Sequence, residues 1–458
     1  MNETEKLIQK THSLDFDSLP DEVVDRTKYL ILDYLGVAAR GALSESSQPI
    51  HNLILNSGMA GYGAVVIGTN IKTMPVYAAI ANGVAAHSLE LDDVVNEASL
   101  HPAVTIISAA LSASHIARCS GKNFIEAVVS GYEVAIRLGI ALNPSAHYAR
   151  GFHPTGTCGT MGSAITAAKI LNLDKNAMMN SLGIAGSQAS GLMEFLSDGA
   201  FTKRLHAGWA AHCGIMAALL SKEGFTGPGT IIEGKFGFLN AYSGNSNPSV
   251  VLANWGSPYN VMKTSIKPHS CCRYIQGSID GILMIMSKHR LKSSDIEKVT
   301  LGLLKTGIPI IAKPEELKCN PKTIVDAQFS MPFGAAVAIL YGRASLEEYT
   351  LENINSPVVR EIMGKIYFFS DPELEKEFPK KWPTTVSIVT KSGEEFFEKI
   401  EYPRGDPEKM LTWEELIDKF KTLASPVFSD EKINIIIEKI RSLENEVNIC
   451  ALSELFLK

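Results

Sequence analysis

The feature that most constrains this chain is a helical periodicity sustained over its first 225 residues by small side chains. From about Pro20 to Arg40, the residues Val23, Val24, Tyr29, Leu30, Leu32, Leu35 and Val37 recur at helical spacing. The stretches PVYAAIANGVAAHSLELDD, VTIISAALSASHIARCSG, NFIEAVVSGYEVAIRLGI, GTMGSAITAAKIL and AAHCGIMAALLSKEG continue the pattern, rich in Ala, Gly and Ser. Small residues let helices approach closely, so the pattern predicts several fully buried helices. Glycine-based stops close them, as in CSGKN and KEGFTGPG.

Beyond GFTGPGTIIEGKFGF the texture changes. Loop residues in NAYSGNSNPS lead to a strand-like TSIKP, a helix-like RYIQGSIDGILMIMSKH and an alternating strand IEKVTLGLL. A further helix, DAQFSMPFGAAVAILYGR, precedes TTVSIVTKSGEEFFEKIEYP, whose two β-rich arms read as a hairpin joined at KSGE. Helical periodicity returns after PRGDPEKMLTWEELIDKF. The expected fold is mainly α. A large all-α domain (1–266) is followed by a smaller α+β domain (267–396), inserted before C-terminal helices (397–458) that rejoin the helical body.

Of the 458 residues, 45% are hydrophobic and 20% charged, ordinary values for a globular chain that excludes disordered and fibrous classes. A net charge of −6 leaves no global basic field for a nucleic acid. The charged start MNETEKLIQKTHSLDF lacks the apolar core of a signal peptide, and no later run matches a spanning helix, so a cytoplasmic protein with no membrane partner is expected. Seven cysteines without CxxC spacing argue for reduced thiols and against a zinc or iron–sulfur site. A mechanism with no metal and no cofactor follows as the working expectation.

Four segments could carry chemistry. In HSLELDDVVNEASLHPAV, Glu90 and Asp93 would share a helical face with His87 one turn back, and His101 heads the next helix. A solvated acidic loop is the bland alternative, weighed against the apolar helices that flank the cluster. In RGFHPTGTCGTMGSA, His153 sits in a Gly-bounded loop, and Thr155 leads into a buried helix whose free N–H groups suit a carboxylate, unless His153 only caps it. In FTKRLHAGW, Lys203, Arg204 and His206 precede a helix expected to begin near Ala207, where cations oppose the macrodipole unless a ligand's negative charge lies nearby. In SIKPHSCCRY, Lys267, His269, Cys272 and Arg273 fall at the domain junction, where lysine and arginine together suit a polycarboxylate.

In order along the chain, these segments, with GFTGPGTIIEGKFGF, VDAQFSMPF and PRGDPEKMLTWEELIDKF, resemble the MmgE/PrpD family over nearly the whole length. The family includes 2-methylcitrate dehydratases, cis-aconitate decarboxylases and iminodisuccinate epimerases, metal-independent enzymes of di- and tricarboxylates. The resemblance implies a homodimer of helical bodies, each with an α+β lid over the active site. It assigns Glu90 and Asp93 of ELDD, His101 of LHP, His153 of FHPTG, Lys203 of TKRLH and Lys267 of IKP to catalysis. Arg204, His206, His269, Cys272, Arg273 and Thr155 are expected to bind the small carboxylate substrate.

The implied activity is a hydro-lyase of the 2-methylcitrate dehydratase kind. The alternatives are a dicarboxylate epimerase, a cis-aconitate decarboxylase-like carboxy-lyase and a non-catalytic carboxylate-binding protein. One departure bears on the choice. Family members tend to read D-F-D-[DN]-T where this chain has Glu90-Leu91-Asp92-Asp93-Val94, which lengthens one carboxylate and removes a threonine hydroxyl.

Overall fold

The computed structural model describes residues 1–378 and 380–458, and the fold is mainly α. Helices of nine residues or more are α1 (Glu3–His12), α2 (Asp21–Gly41), α3 (Gln48–Asn56), α4 (Pro75–Ala86), α5 (Ala103–Ala117), α6 (Gly121–Ala141), α7 (Pro154–Ile170), α8 (Lys175–Gln188), α9 (Thr202–Lys222), α10 (Arg273–His289), α11 (Met331–Tyr341), α12 (Trp413–Ala424) and α13 (Asp430–Arg441). None of the helices formed by the described residues is long and apolar enough to cross a membrane.

Helix α7 is the axis of the body, in contact with α5, α6, α8 and α9. Nearly every residue in it is buried, which its Gly, Ala, Ser and Thr content permits. Helices α4 and α9 cross in close contact. A Cβ on Gly83 would lie 2.5 Å from the Cα of Gly208, and one on Gly208 would lie 2.3 Å from the carbonyl oxygen of Ile80. Only glycine at both positions allows this approach. It brings the C-terminal end of α4, and the segment after it, beside the first turn of α9.

The helical body is not purely helical: β1 (Ala60–Val65) and β2 (Lys72–Thr73) pair antiparallel ahead of α4. A second small pair joins distant segments, with Val94–Val95 (β3) antiparallel to Thr264–Ser265 (β4).

One apolar core runs from Leu7 to Ile266 and also takes in Leu416, Phe420, Ile433, Ile436 and Ile440 of α12 and α13. The chain's last helices therefore share the core of its first 266 residues. A separate core includes Ile275, Ile279, Val299, Leu301, Phe333, Val337 and Val386. It is built on a four-stranded sheet of β5 (Ile296–Leu303), β6 (Ile366–Ser370), β7 (Thr384–Thr390) and β8 (Glu395–Ile400), in the order β6-β5-β7-β8. β5 and β6 are parallel and the other neighbours antiparallel. β8 runs to Ile400, past the sequence-expected boundary at 396. Alternation in TTVSIVT matches its burial along β7, as a half-buried strand requires.

Candidate active site

Residues 87–93 do not form the helical face expected of them. Helix α4 ends at Ala86, and Glu90 adopts a φ of 54°, in the left-handed region that a non-glycine residue takes only when its surroundings hold it there. Those surroundings are visible. The Leu89 carbonyl accepts hydrogen bonds from Ser270 Oγ (2.7 Å) and Gln328 Nε2 (3.0 Å). The Leu91 carbonyl accepts one from Lys419 Nζ of α12 at 3.0 Å.

The kink turns adjacent acids in opposite directions, and the expectation for Asp93 needs correction. Asp93 Oδ2 accepts from the Tyr132 hydroxyl at 2.7 Å and Oδ1 accepts from the Ala103 amide at 3.0 Å, away from both lysines. Burial is the largest influence on it and, helped by Asp92 and Asp33, pushes its pKa to about 8 against those two hydrogen bonds. Its place beside the bases is taken by Asp92.

Asp92 Oδ2 lies 2.7 Å from His87 Nδ1 and 3.1 Å from His101 Nδ1, while Oδ1 lies 3.5 Å from Lys267 Nζ. Burial would raise its pKa, but Lys267, His101 and His87 outweigh burial and hold it well below the usual carboxylate range. Glu90 forms a close ion pair with Lys203 and lies 3.7 Å from Lys267. Here too burial is opposed, by Lys203 first and Lys267 second, and its pKa falls to about 2. Burial lowers the pKa of Lys267, but Asp92 and Glu90 together outweigh it and raise the value above the ordinary one.

Chain connectivity explains these positions. Pairing of β3 with β4 sets Lys267 two residues beyond a strand bound to the segment after Asp93. The loop from Val95 to Leu100 closes on itself through a 2.9 Å backbone bond and returns His101 to Asp92. His101 Nδ1 is also 2.7 Å from the Asp93 carbonyl, which can only accept, so Nδ1 carries the proton and Nε2 presents a lone pair. Burial, against Asp92, lowers the pKa of His101 to about 3.

His153 is the N-terminal residue flanking α7, and its Nδ1 is 3.1 Å from Nδ1 of His206. The rings of His87 and His153 stack with centroids 5.8 Å apart. Burial, reinforced by His206, His87 and Lys203, keeps the pKa of His153 well below its ordinary value; burial likewise takes His206 to about 4. The result is that His101, His153 and His206 are held as neutral imidazoles beside Lys203 and Lys267. His87 Nε2 is buried without a hydrogen-bond partner among the described residues.

The remaining expected residues divide. Thr155 Oγ1 accepts from the His101 amide at 3.1 Å and so supports the base. Helix α9 starts at Thr202 rather than near Ala207, which puts Lys203, Arg204 and His206 in its first two turns. His269 is paired with Asp280 at 2.9 Å, and Arg273 with Asp406 at 2.7 Å and Asn96 at 2.9 Å; these contacts fasten the junction and are not in the cluster. The Cys272 thiol is buried and its pKa is raised, so it is not poised as a thiolate. Sequence reasoning placed His87 beside the acids without giving it a role and passed over Asp92, although both lie within the HSLELDDVVNEASLHPAV segment it singled out; the missing signal was the kink at Glu90.

The MmgE/PrpD N-terminal domain model matches residues 5–251 and the C-terminal domain model matches residues 269–444. The chain belongs to the MmgE/PrpD family. Cis-aconitate decarboxylase of Aspergillus terreus is 28% identical over 472 residues, covering 99% of this chain and 95% of that protein. Cis-aconitate decarboxylase of Homo sapiens is 27% identical, with 99% and 94% covered. The 2-methylcitrate dehydratase of Salmonella typhimurium is 24% identical over 426 residues, with 87% and 85% covered. These three relatives, two decarboxylases and one dehydratase by name, are lyases.

Proposed function

We propose that this protein is a lyase of a small tricarboxylate or dicarboxylate, breaking a bond next to a carbon that bears a carboxylate. The observation that carries the reading is the cluster of His87 and His101 on the buried Asp92, with His153 and His206 beside them and Lys203 and Lys267 on its edge. A carbanion next to a carboxylate needs counter-charge to form, and buried ammonium groups supply more of it than water does. Neutral imidazoles supply the proton transfer: Nε2 of His101, its tautomer fixed by Asp92 and the Asp93 carbonyl, is a lone-pair base.

Within the cluster the two lysines are balanced by Glu90 and Asp92. A substrate carboxylate entering beside them adds negative charge, raises the imidazole pKa values and recruits a proton, so that a base becomes an acid. Substrate binding is thus expected to take up protons at neutral pH. That proton is what a lyase has to deliver, either to the carbon left when CO2 departs or to a departing hydroxide.

Full-length similarity to two decarboxylases supports the carboxy-lyase reading ahead of the hydro-lyase reading that the sequence alone favours. The longer carboxylate at Glu90 and the valine at Val94 reshape the pocket, which leaves room for a substrate other than cis-aconitate. A panel of di- and tricarboxylates followed by proton NMR in deuterated water tests the proposal. CO2 release with deuterium in the product supports the first reading; water loss supports the second. Exchange without net product marks an epimerase, and ligand stabilisation without exchange marks a binder; either outcome overturns the lyase proposal. We also propose a homodimer, for which the half-exposed Leu205 and Trp209 on one stripe of α9 supply an apolar face.

A further inference from the structure

A groove of about 740 Å³ opens between the end of α2, the start of α9 and the α+β part, and none of the histidines, acids or lysines of the catalytic cluster lines it. Its cations are Arg40, Arg204 and Lys322; the one carboxylate on its rim is Glu45. Arg204 is the unusual member. It is 7% exposed, yet its guanidinium has no hydrogen bond or ion pair among the described residues. The nearest buried acid, Glu90, is already committed to Lys203 and Lys267. An unpaired guanidinium that opens on the groove is placed to take an anion through charge-assisted hydrogen bonds.

The rest of the lining also points to an occupant. The walls include Leu43, Phe201 and Leu351, at 40, 42 and 53% exposure, and Phe201 lies 5.2 Å from the guanidinium carbon of Arg204. Charged anchors at the inner end and solvent-facing apolar side chains along the sides describe a site for an amphipathic anion.

We propose that this groove is a second anion-binding site, separate from the proton-transfer cluster, which takes the carboxylate or phosphate group of a molecule with an apolar body. Arg204 is its inner anchor and Arg40 its outer cation. The site touches the catalytic segment at one place, since Gln328 and Ser270 hold the Leu89 carbonyl next to the strained Glu90. Gln328 also lines the groove, so a ligand seated there acts on the segment that presents Glu90 to Lys203.

Isothermal titration calorimetry of the full chain with octanoate, hexyl phosphate and inorganic phosphate tests this without any turnover assay, so the outcome stands apart from the lyase proposal. One molecule of octanoate or hexyl phosphate should bind per chain, and the tighter of the two identifies the head group. Arg204→Gln should weaken Kd about tenfold or more, the size of a lost charge-assisted hydrogen bond. Arg40→Gln should weaken it less, and decides the matter if Arg204→Gln does not fold. Lys267→Met, checked for fold by circular dichroism, should leave Kd unchanged. The proposal is overturned if neither probe saturates, if both arginine variants bind as wild type does, or if Lys267→Met abolishes binding. Inorganic phosphate binding as tightly as hexyl phosphate would overturn the apolar half of it.

Discussion

Replacing Asp93 by Asn tests the most specific electrostatic statement the site makes. Asp93 is fully buried, with a pKa of about 8 in the fold, against about 3.9 for an unfolded chain. Between those values the folded state holds a proton that the unfolded state releases, so folding becomes less favourable as pH rises, by about 1.4 kcal/mol per unit. From pH 5 to pH 8 the loss approaches ~4 kcal/mol. Asn cannot ionise and removes this slope. It also mimics the protonated acid, accepting from the Ala103 amide through its oxygen and donating to the Tyr132 oxygen through its nitrogen. His101 and His206, whose pKa values are lowered to about 3 and about 4, contribute the opposite slope, stability lost as pH falls below ~6.5. That slope is common to both proteins and cancels in their difference. Urea denaturation at pH 5, 6, 7 and 8 should show Asp93→Asn near wild type at pH 5 and progressively more stable than wild type toward pH 8. A difference that stayed flat, or fell, would mean that Asp93 is ionised throughout, and the assignment of Asp92 and Asp93 to separate roles would fail.

Four shorter tests follow. Asp92→Asn should lower kcat by ~10²-fold, because His87 and His101 lose the acceptor that fixes their tautomers; an unchanged kcat would remove Asp92 from the site. Lys203→Ala or Lys267→Ala should weaken substrate binding and turnover by several kcal/mol in total, with Glu90 left short of counter-charge, and wild-type kinetics in both would refute the site. His153→Ala should reduce kcat by ~10²-fold or more; if it still exchanges the substrate proton but yields no product, His153 serves the departing group instead of the first proton transfer. Trp209→Glu should convert a dimer to monomers in light scattering, and a wild type that is already monomeric would end the homodimer proposal.

Much of the fold was legible because periodicity and side-chain size are local properties. The Ala- and Gly-rich segments could only pack as buried helices, and the glycines that read as helix-weakening in isolation are the ones that let α4 and α9 touch at Gly83 and Gly208. The α+β texture and the β7–β8 hairpin were legible from alternation across KSGE. The β1–β2 pair was not, since Ala60 to Val65 reads AGYGAV and carries no strand pattern. Nor was the start of α9, because Thr202 to His206 is polar and an apolar helix was sought after it.

The site was legible as a set of residues and illegible as a geometry. Chemistry-bearing types are visible in sequence, but which of two adjacent acids faces a base depends on one backbone angle, and the φ of 54° at Glu90 is imposed from outside the segment. Ser270, Gln328 and Lys419, which hold the carbonyls of Leu89 and Leu91, lie roughly 180 to 330 residues further along the chain. No window around ELDD contains them. Helical extrapolation past Ala86 therefore placed Asp93 on the face with Glu90 and His87, whereas the tertiary contacts end the helix one turn early and present Asp92 instead. The same long-range contacts couple the strained segment to both cores, so motion of the α+β part relative to the body would reset the Glu90–Lys203 pair and the Asp92–His101 pair together. Those two acids, and not their number or spacing in the sequence, are what make the lysines and imidazoles one chemical unit.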